Sequence, residues 1–313
     1  MLASLNSLTS LIILAVFLTP FGEKAASSDS IASQEARPGS NLRRTHLVAG
    51  TQLVGYSTAL LLLNQAWYKD YPRTSFHFHD DLPDWFQQDK LGHVSATYHL
   101  GRLSAASFRW AGLSNTGSAW AGAMSGLAFI TAVEILDGFS AEWGASISDM
   151  AANALGAGTF LGQQLAWEEQ RFLLKYSFHE SGLAKYRPNL LGSNLPEKML
   201  KDYNGQTFWL SFNLKSLLAP ESNMPAWLNL AIGHGARGML GSRHNPAYYN
   251  DEALPQMVRH RQWYLAPDID FSRIPVQSPF LKTLLSGLNF LKMPAPALEY
   301  NSEQGLRFHW LFF

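Results

Sequence analysis

The chain of 313 residues contains no cysteine. That absence removes disulfides, thiolate metal ligands, cysteine nucleophiles and the acylated cysteine of a lipoprotein together. Charge is also scarce. Asp, Glu, Lys and Arg make up 15% of the residues, against about 25% in ordinary soluble domains. The 24 cationic and 24 acidic side chains cancel, so bulk charge offers no attraction for nucleic acid, and none is expected as a partner. Disorder is excluded for most of the chain by its 47% hydrophobic content. With ten tryptophans and 13% aromatic residues, the deficit of charge points towards lipid or an unusually buried protein.

Residues 11–21 form an apolar run, followed by Gly22, Glu23, Lys24 and the small residues Ala25, Ala26 and Ser27. Segment 1–27 therefore reads as an export signal or N-terminal anchor, and 28–45, rich in Ser, Ala, Asn and Arg, as a linker. Segment 47–67 is uncharged and has about the twenty residues that a membrane-spanning helix requires; a buried hairpin helix, with Gln52 and Asn64 as its polar members, is the alternative. Three further helical stretches are expected at 85–112, 117–136 and 146–176. The third and fourth helices carry Gly122/Gly126 and Gly158/Gly162, a spacing that lets helix backbones approach closely. After Pro188 the texture changes to strands at 206–214, 226–234, 262–271 and 306–313, with a short helix over 281–290. Thr207, Trp209, Ser211 and Asn213 alternate with Phe208, Leu210, Phe212 and Leu214, giving one mixed face and one apolar face that is buried or lipid-facing. The aromatic end at Phe313 resembles the last strand of an outer-membrane barrel, but four strands are about half of what the smallest barrel needs. The expected fold class is α+β: a bundle of about four mostly membrane-associated helices (46–187), followed by a small antiparallel β-containing region docked on it (188–313).

The polar residues of the helical half fall at helical spacings. Asp89 and His93 are i,i+4, which sets a carboxylate beside an imidazole on one face, with Lys90 next to it. Glu134 and Asp137 are i,i+3 at the end of the third helix, and Asp149, Asn153 and Gly156 form one stripe of the fourth. Ser146 precedes Asp149 by three residues, a capping spacing. Antiparallel packing would bring the start of the second helix, the end of the third and the start of the fourth together, so His93, Glu134, Asp137 and Asp149 would converge. Three chemistries suit such a set. It could hold a divalent metal that polarises a phosphoryl oxygen, with those four residues as ligands. It could work as a general acid/base site with His93, Glu134 and Asp149 as the catalytic candidates. It could be a structural network of Asp89, Lys90 and Asn153 with the same residues. No cofactor other than a divalent metal is suggested. Weaker candidates are His77-Phe78-His79-Asp80 in a Pro-bounded loop, the Gly233 to Gly238 stretch as a hairpin turn or anion loop, and Glu168 to Arg171 as a solvated helix end.

The segments D-K-L-G-H (89–93), E-I-L-D-G-F-S-A-E-W-G (134–144) and S-x-S-D-M-A-A-N-A-L-G-A (146–157) resemble the YfiM-like predicted periplasmic lipoproteins over about 85–180. D-Y-N-G-Q-T-F-W-L-S (202–211), Y-L-A-P-D-I-D-F (264–271) and P-A-P-A-L-E-Y (294–300) are similar to the C-terminal extension of longer members. That family has no established reaction, so the resemblance implies an address in the envelope and a motif. More distantly, the order D-K-x-x-H, E, D-x-x-x-N-x-x-G resembles the VanZ-like membrane proteins, associated with altered glycopeptide susceptibility; Asp137 stands where a Gln is common there. What either resemblance implies reaches only Asp89, Lys90, His93, Glu134, Asp137, Asp149, Asn153 and Gly156. The expectation is a bacterial cell-envelope protein, membrane-associated on the periplasmic side or in the outer membrane, whose partners are membrane lipid or another envelope protein. The alternative is a metal- or acid/base-dependent enzyme acting on a lipid-linked phosphate or cell-wall precursor, with Lys90 meeting the phosphate.

Overall fold

The computed structural model describes residues 41–68, 71–218 and 222–313; the expected signal and most of the expected linker lie outside them. Regular structure starts earlier than residue 46. The Asn41 side chain accepts a hydrogen bond from the Arg44 backbone N–H at 3.3 Å and caps helix α1, Leu42–Leu63. A π turn, Asn64–Tyr68, follows. Helix α1 docks through polar contacts: Ser125 Oγ donates to Gln52 Oε1 at 2.8 Å and Tyr56 OH lies 2.9 Å from Ser104 Oγ. The rest of α1 is little covered, and Leu47, Leu53, Val54 and Leu61 are exposed. By length and composition alone, α1 and Asn115–Asp137 are apolar enough to cross a membrane.

Three long helices form the bundle: α2, Gln88–Trp110, α3, Asn115–Asp137, and α4, Ile147–Trp167. Ser114 and Ser146 cap α3 and α4 by accepting from the Gly117 and Asp149 backbone N–H groups at 3.1 and 3.0 Å. Helix α4 ends nine residues short of 176. Gln163 Oε1 accepts from the Arg171 and Phe172 N–H groups at 2.9 and 2.8 Å, and Glu168 adopts a left-handed φ of 57°. The chain thereby peels off into strand β1, Phe172–Phe178, whose inward residues Leu173, Lys175 and Ser177 alternate with outward ones.

Small residues set the helix spacing. A Cβ on Gly122 would sit 2.4 Å from the Gly101 carbonyl oxygen, one on Gly126 would sit 2.7 Å from the Gly101 nitrogen, and one on Gly156 would sit 2.3 Å from the Val94 carbonyl oxygen. The first expected glycine seam is therefore the α2/α3 contact. The second is not one, since Gly158 and Gly162 have nothing within 4 Å of a built Cβ; Gly156 makes the α2/α4 contact instead. Tyr98, Ala105, Ala123, Ala157 and Phe160 fill the core between these helices.

The sheet has six strands where four were expected: β1, β2 (Gln206–Asn213), β3 (Leu228–Arg237), β6 (His260–Ile269), β7 (Ala295–Asn301) and β8 (Gly305–Phe312), antiparallel in that order. A separate ribbon of β4 (Tyr248–Tyr249) and β5 (Glu252–Ala253) lies between β3 and β6 in the chain. The described residues also hold eight α-helices where about four were expected for the bundle; Pro279–Leu288 is the short helix expected over 281–290, and the three others, Pro188–Leu191, Leu195–Lys201 and Leu214–Leu217, are short segments between strands. The Gly233 to Gly238 stretch lies in β3 and just beyond it, so it is neither a tight turn nor an anion loop. The sheet curls on itself. Phe312 stacks on Tyr264 at 4.3 Å and meets Trp209 at 6.1 Å, while Tyr176 exchanges two 2.8 Å backbone hydrogen bonds with Phe290 and Lys292.

The interior of the curl is the mixed face, and the apolar face points outward. Lys175 Nζ lies 3.0 Å from Asp268 Oδ2, Lys292 Nζ lies 3.7 Å from Asp268 Oδ1, and Ser211 Oγ donates to Asp268 at 2.7 Å. Gln262 and His309 both meet the buried Glu299, at 2.7 and 2.6 Å. Leu210, Leu230, Ile232, Trp263, Leu265 and Leu298 are exposed on the other side.

The glycine seams make a direct prediction. Gly122→Ala and Gly156→Ala each lower stability by about 1–3 kcal/mol through overpacking, whereas Gly158→Ala raises it by up to about 1 kcal/mol through helix propensity. Urea unfolding of the three variants reads this, and equal effects at all three positions would refute the seam assignment.

Candidate functional site

The chain enters α2 through an unusual turn. Trp85, Phe86 and Gln87 have φ of 48°, 51° and 61°, a left-handed run that non-glycine residues adopt only when their surroundings over-determine it. Here the surroundings do so. The Trp85 N–H donates to the Ser242 carbonyl at 2.9 Å, Arg261 donates to the Phe86 carbonyl at 2.7 Å and to Gln87 Oε1, and the Arg259 and Arg261 guanidinium groups lie 5.2 and 4.8 Å from the centre of the Phe86 ring. Residues in and beside β6 thus fix the direction in which the first turn of α2 presents Asp89 and Lys90.

Lys90 is buried, and its ammonium serves three carboxylates: Asp81 at 2.7 Å, Asp149 at 2.8 Å and Asp89 at 3.1 Å. Asp81 belongs to the loop before α2. It also accepts from the hydroxyls of Ser146 and Ser148 at 2.5 and 2.7 Å, which ties the loop to the start of α4. Tyr203 OH donates to Asp89 at 2.7 Å, and the Ser146 N–H donates to Glu134 Oε2 at 3.1 Å. The starts of α2 and α4 and the end of α3 do meet at one end of the bundle.

His93 stands at the centre. Its Nδ1 lies 3.0 Å from Asn153 Oδ1, an oxygen that can only accept, so Nδ1 carries the proton and Nε2 faces the acids. Nε2 is 3.5 Å from Glu134 Oε1 and 3.8 Å from both Asp89 Oδ1 and Asp149 Oδ1. These separations are too long for hydrogen bonds. They are somewhat wider than the spacing of donor atoms about a common ion, which lie about 3.4 Å apart when each is about 2.1 Å from a tetrahedral centre. Ligand atoms of Asp89, His93 and Asp149 all lie within 4.8 Å of one another. Glu134 is 1% exposed, and its Oε1, aimed at His93, is buried without a hydrogen-bond partner.

The electrostatics show a surplus of negative charge. Burial and the neighbouring Asp89 charge push the Asp149 carboxyl up to about 8. Burial would also raise Asp81, but hydrogen bonds from Asp149, Lys90 and the two serines hold it well below the ordinary carboxylate range. Burial alone would depress the His93 imidazole; the charges of Asp89, Asp149 and Glu134 outweigh it and raise its affinity for a proton. Lys90 is held charged by Asp89 and Asp149 against the cost of its burial.

Asp89, Lys90, His93, Glu134, Asp149 and Asn153 therefore come together. Asp137 borders the cluster: it accepts from Tyr68 OH at 2.6 Å, and the charges of Glu134, His93 and Asp89 act on it. Lys90 commits its three N–H groups to carboxylates and has none left for a phosphate. His77 bonds to the Trp143 carbonyl through Nε2 at 3.2 Å, away from the cluster. Asp81 and Tyr203 are the members that helical spacing could not reveal: one is in the loop before α2, the other lies 114 residues from its partner Asp89. Their only signals were the paired Asp80-Asp81 and the D-Y-N-G segment.

The family model described as "Predicted periplasmic lipoprotein (DUF2279)" matches residues 84–162, the stretch from the left-handed turn to α4 that carries His93, Glu134 and Asp149. The description supports the YfiM-like resemblance and gives the chain an envelope address on the periplasmic side; the VanZ-like resemblance has only the residue pattern behind it. No curated protein and no solved structure matches the chain.

Removing the Lys90 ammonium should leave the buried Asp149 and the half-buried Asp81 and Asp89 carboxylates uncompensated. Lys90→Met is expected to lower stability by about 3–5 kcal/mol, while Lys198→Gln, which breaks a more exposed 2.7 Å pair with Glu180, costs up to about 1 kcal/mol. Denaturant unfolding of both variants measures the contrast, and comparable small losses would show that Lys90 does not hold the site.

Proposed function

We propose that this protein is a membrane-associated component of the cell envelope whose buried cluster holds one divalent cation, with His93, Asp89, Asp149 and Glu134 as its ligands. The single observation that carries this reading is the buried, unpartnered Glu134 Oε1 at 3.5 Å from His93 Nε2. An imidazole nitrogen among carboxylate oxygens suits zinc or manganese. Bound there, the cation would offset the surplus of acids and tie α2, α3 and α4 together at one end, ordering the bundle that meets lipid or an envelope partner. Membrane association is supported by α1, whose outward residues are apolar and uncovered.

A second reading, an enzyme acting on a lipid-linked phosphate, is favoured by one feature: the site is not sealed. The Asp89 and His93 side chains keep 24% and 17% of their surface open, which would leave a coordination position for a substrate oxygen. Phosphate contact would then fall to the cation, since Lys90 is already committed.

Protein purified without chelators is expected to carry about one zinc or manganese per chain by elemental analysis, and to melt at a lower temperature once the ion is stripped. Glu134→Gln and His93→Ala should each lose the ion, and Asp137→Asn should keep it. A metal-free protein whose melting is unmoved by either ion would overturn the proposal. Phosphate release from a lipid-linked pyrophosphate by the loaded protein, absent in Glu134→Gln, would select the enzymatic reading.

A further inference from the structure

We infer that the cleft between α2, α4 and the sheet binds one long-chain fatty acid, with the alkyl chain in the cleft and the carboxylate on Arg261. This second site depends neither on a cation at His93 nor on membrane association.

Residue spacing on three elements builds the cleft. Leu91 and Val94 are i,i+3 on α2, and Ala151 and Leu155 are i,i+4 on α4, so each pair shares a helix face. Trp263 of β6 forms the third wall. It pairs in register with His234 of β3, and the two rings meet edge-on at 4.7 Å. The space between these walls is about 460 Å³. Small-molecule pockets run from about 300 to 1,000 Å³ and are mostly apolar, with a few placed polar groups. Leu155 and Trp263, 60% and 49% exposed, stand at the opening, and the small side chain of Ala151 keeps the slot wide enough for one extended alkyl chain.

The polar end of the cleft carries one uncompensated positive charge. Arg261 lines it. Its Nη1 donates to the Phe86 carbonyl at 2.7 Å and lies 3.2 Å from His234 Nε2, and its Nη2 donates to Gln87 Oε1. All three partners are neutral. Among the described residues no carboxylate pairs with Arg261, and its Nε–H and one Nη2–H are left for a ligand. Burial and the Arg261 charge pull the His234 imidazole down to about 4, so it adds no second charge. Lys90, the other cation lining the cleft, is spent on Asp81, Asp89 and Asp149. One free guanidinium at the end of an apolar slot suits a monoanion on an apolar chain. A carboxylate can accept both remaining N–H groups as charge-assisted hydrogen bonds and brings a single charge, whereas a phosphate monoester brings about −1.5 to −2.

The test is binding of the fluorescent fatty acid cis-parinarate to the full chain stripped of lipid, followed by displacement with unlabelled competitors. About one cis-parinarate should bind per chain, with or without EDTA, and palmitate should displace it. 1-Hexadecanol has the same chain length without the charge, and should compete about tenfold or more weakly than palmitate. Arg261→Gln should weaken palmitate by a similar factor. Because Arg261 also holds the turn before α2, a second variant is needed: Ala151→Trp fills the cleft from an exposed position of α4. It should abolish binding and leave the urea midpoint unchanged. No binding by the unsubstituted chain, undiminished binding by Ala151→Trp, or equal competition by 1-hexadecanol would each overturn the inference. Binding lost in EDTA would move the carboxylate to the cation at His93, and displacement by phosphatidylglycerol as effective as by palmitate would make the occupant a two-chain lipid; either result also overturns it.

Discussion

One buried ammonium group organises the helical half. Lys90 is held by carboxylates from the loop before α2, from α2 itself and from α4, so it joins three pieces of chain that share no backbone hydrogen-bond ladder. Taking such charges out of water costs several kcal/mol per ion unless the remaining lone pairs are also satisfied. They largely are: Ser146 and Ser148 serve Asp81, and Tyr203 serves Asp89. What is left over is charge. Asp81, Asp89, Glu134 and Asp149 face one lysine and one imidazole, and a divalent ion at His93 would offset much of that excess where Lys90 cannot reach.

The ions meet only because the helices approach closely. Gly156 lies against the Val94 carbonyl, and one turn earlier on the same stripe Asn153 is brought to 3.0 Å from His93. A side chain at 156 would push α4 away and open that hydrogen bond, releasing the imidazole from the tautomer that directs Nε2 at the acids. Gly122 and Gly126 do the same for α3 and so for Glu134. Packing by the smallest residues and the chemistry of the largest polar ones are thus a single constraint.

Much of this was legible in the sequence where the relevant interaction is local. The i,i+4 and i,i+3 spacings of Asp89/His93 and Glu134/Asp137, together with the Ser146 cap, set the site at one end of an antiparallel bundle, and the convergence of His93, Glu134 and Asp149 follows from helix geometry alone. Asp137 is about 60° round the helix from Glu134, so Glu134 is directed at His93 while Asp137 takes the Tyr68 hydroxyl at the border of the same cluster. Asp81 and Tyr203 were out of reach, since loop direction is decided by tertiary contacts. The end of α4 was missed because F-L-L-K-Y-S-F is apolar enough to continue a helix, and only the Gln163 side chain bonding the departing backbone turns it into β1. Strand β7, in the P-A-P-A-L-E-Y segment, was hidden by its prolines, of which Pro296 sits on the outward face at the bulge near Ala295 where a missing donor does little harm.

The sheet accounts for the scarcity of charge in the chain. Alternation in β2 showed an apolar face and a mixed face but not which was inside, because a soluble core and a lipid-facing wall share the same period of two. The interior decides it. Gly233, Ala231, Ala266 and Ala297 are small enough to leave room for Trp209, Tyr264 and the long stem of Lys175, and the polar ends of those stems find Asp268 and Ser177 within hydrogen-bond reach. A chain with 15% charged residues that commits Lys90, Lys175, Lys292, Glu134, Asp149, Asp268 and Glu299 to buried partners has few charges left for its surface. The same allocation that satisfies the interior leaves the outside of the sheet, α1 and the open side of α4 apolar. A surface of that kind costs little where the surrounding solvent is itself hydrocarbon.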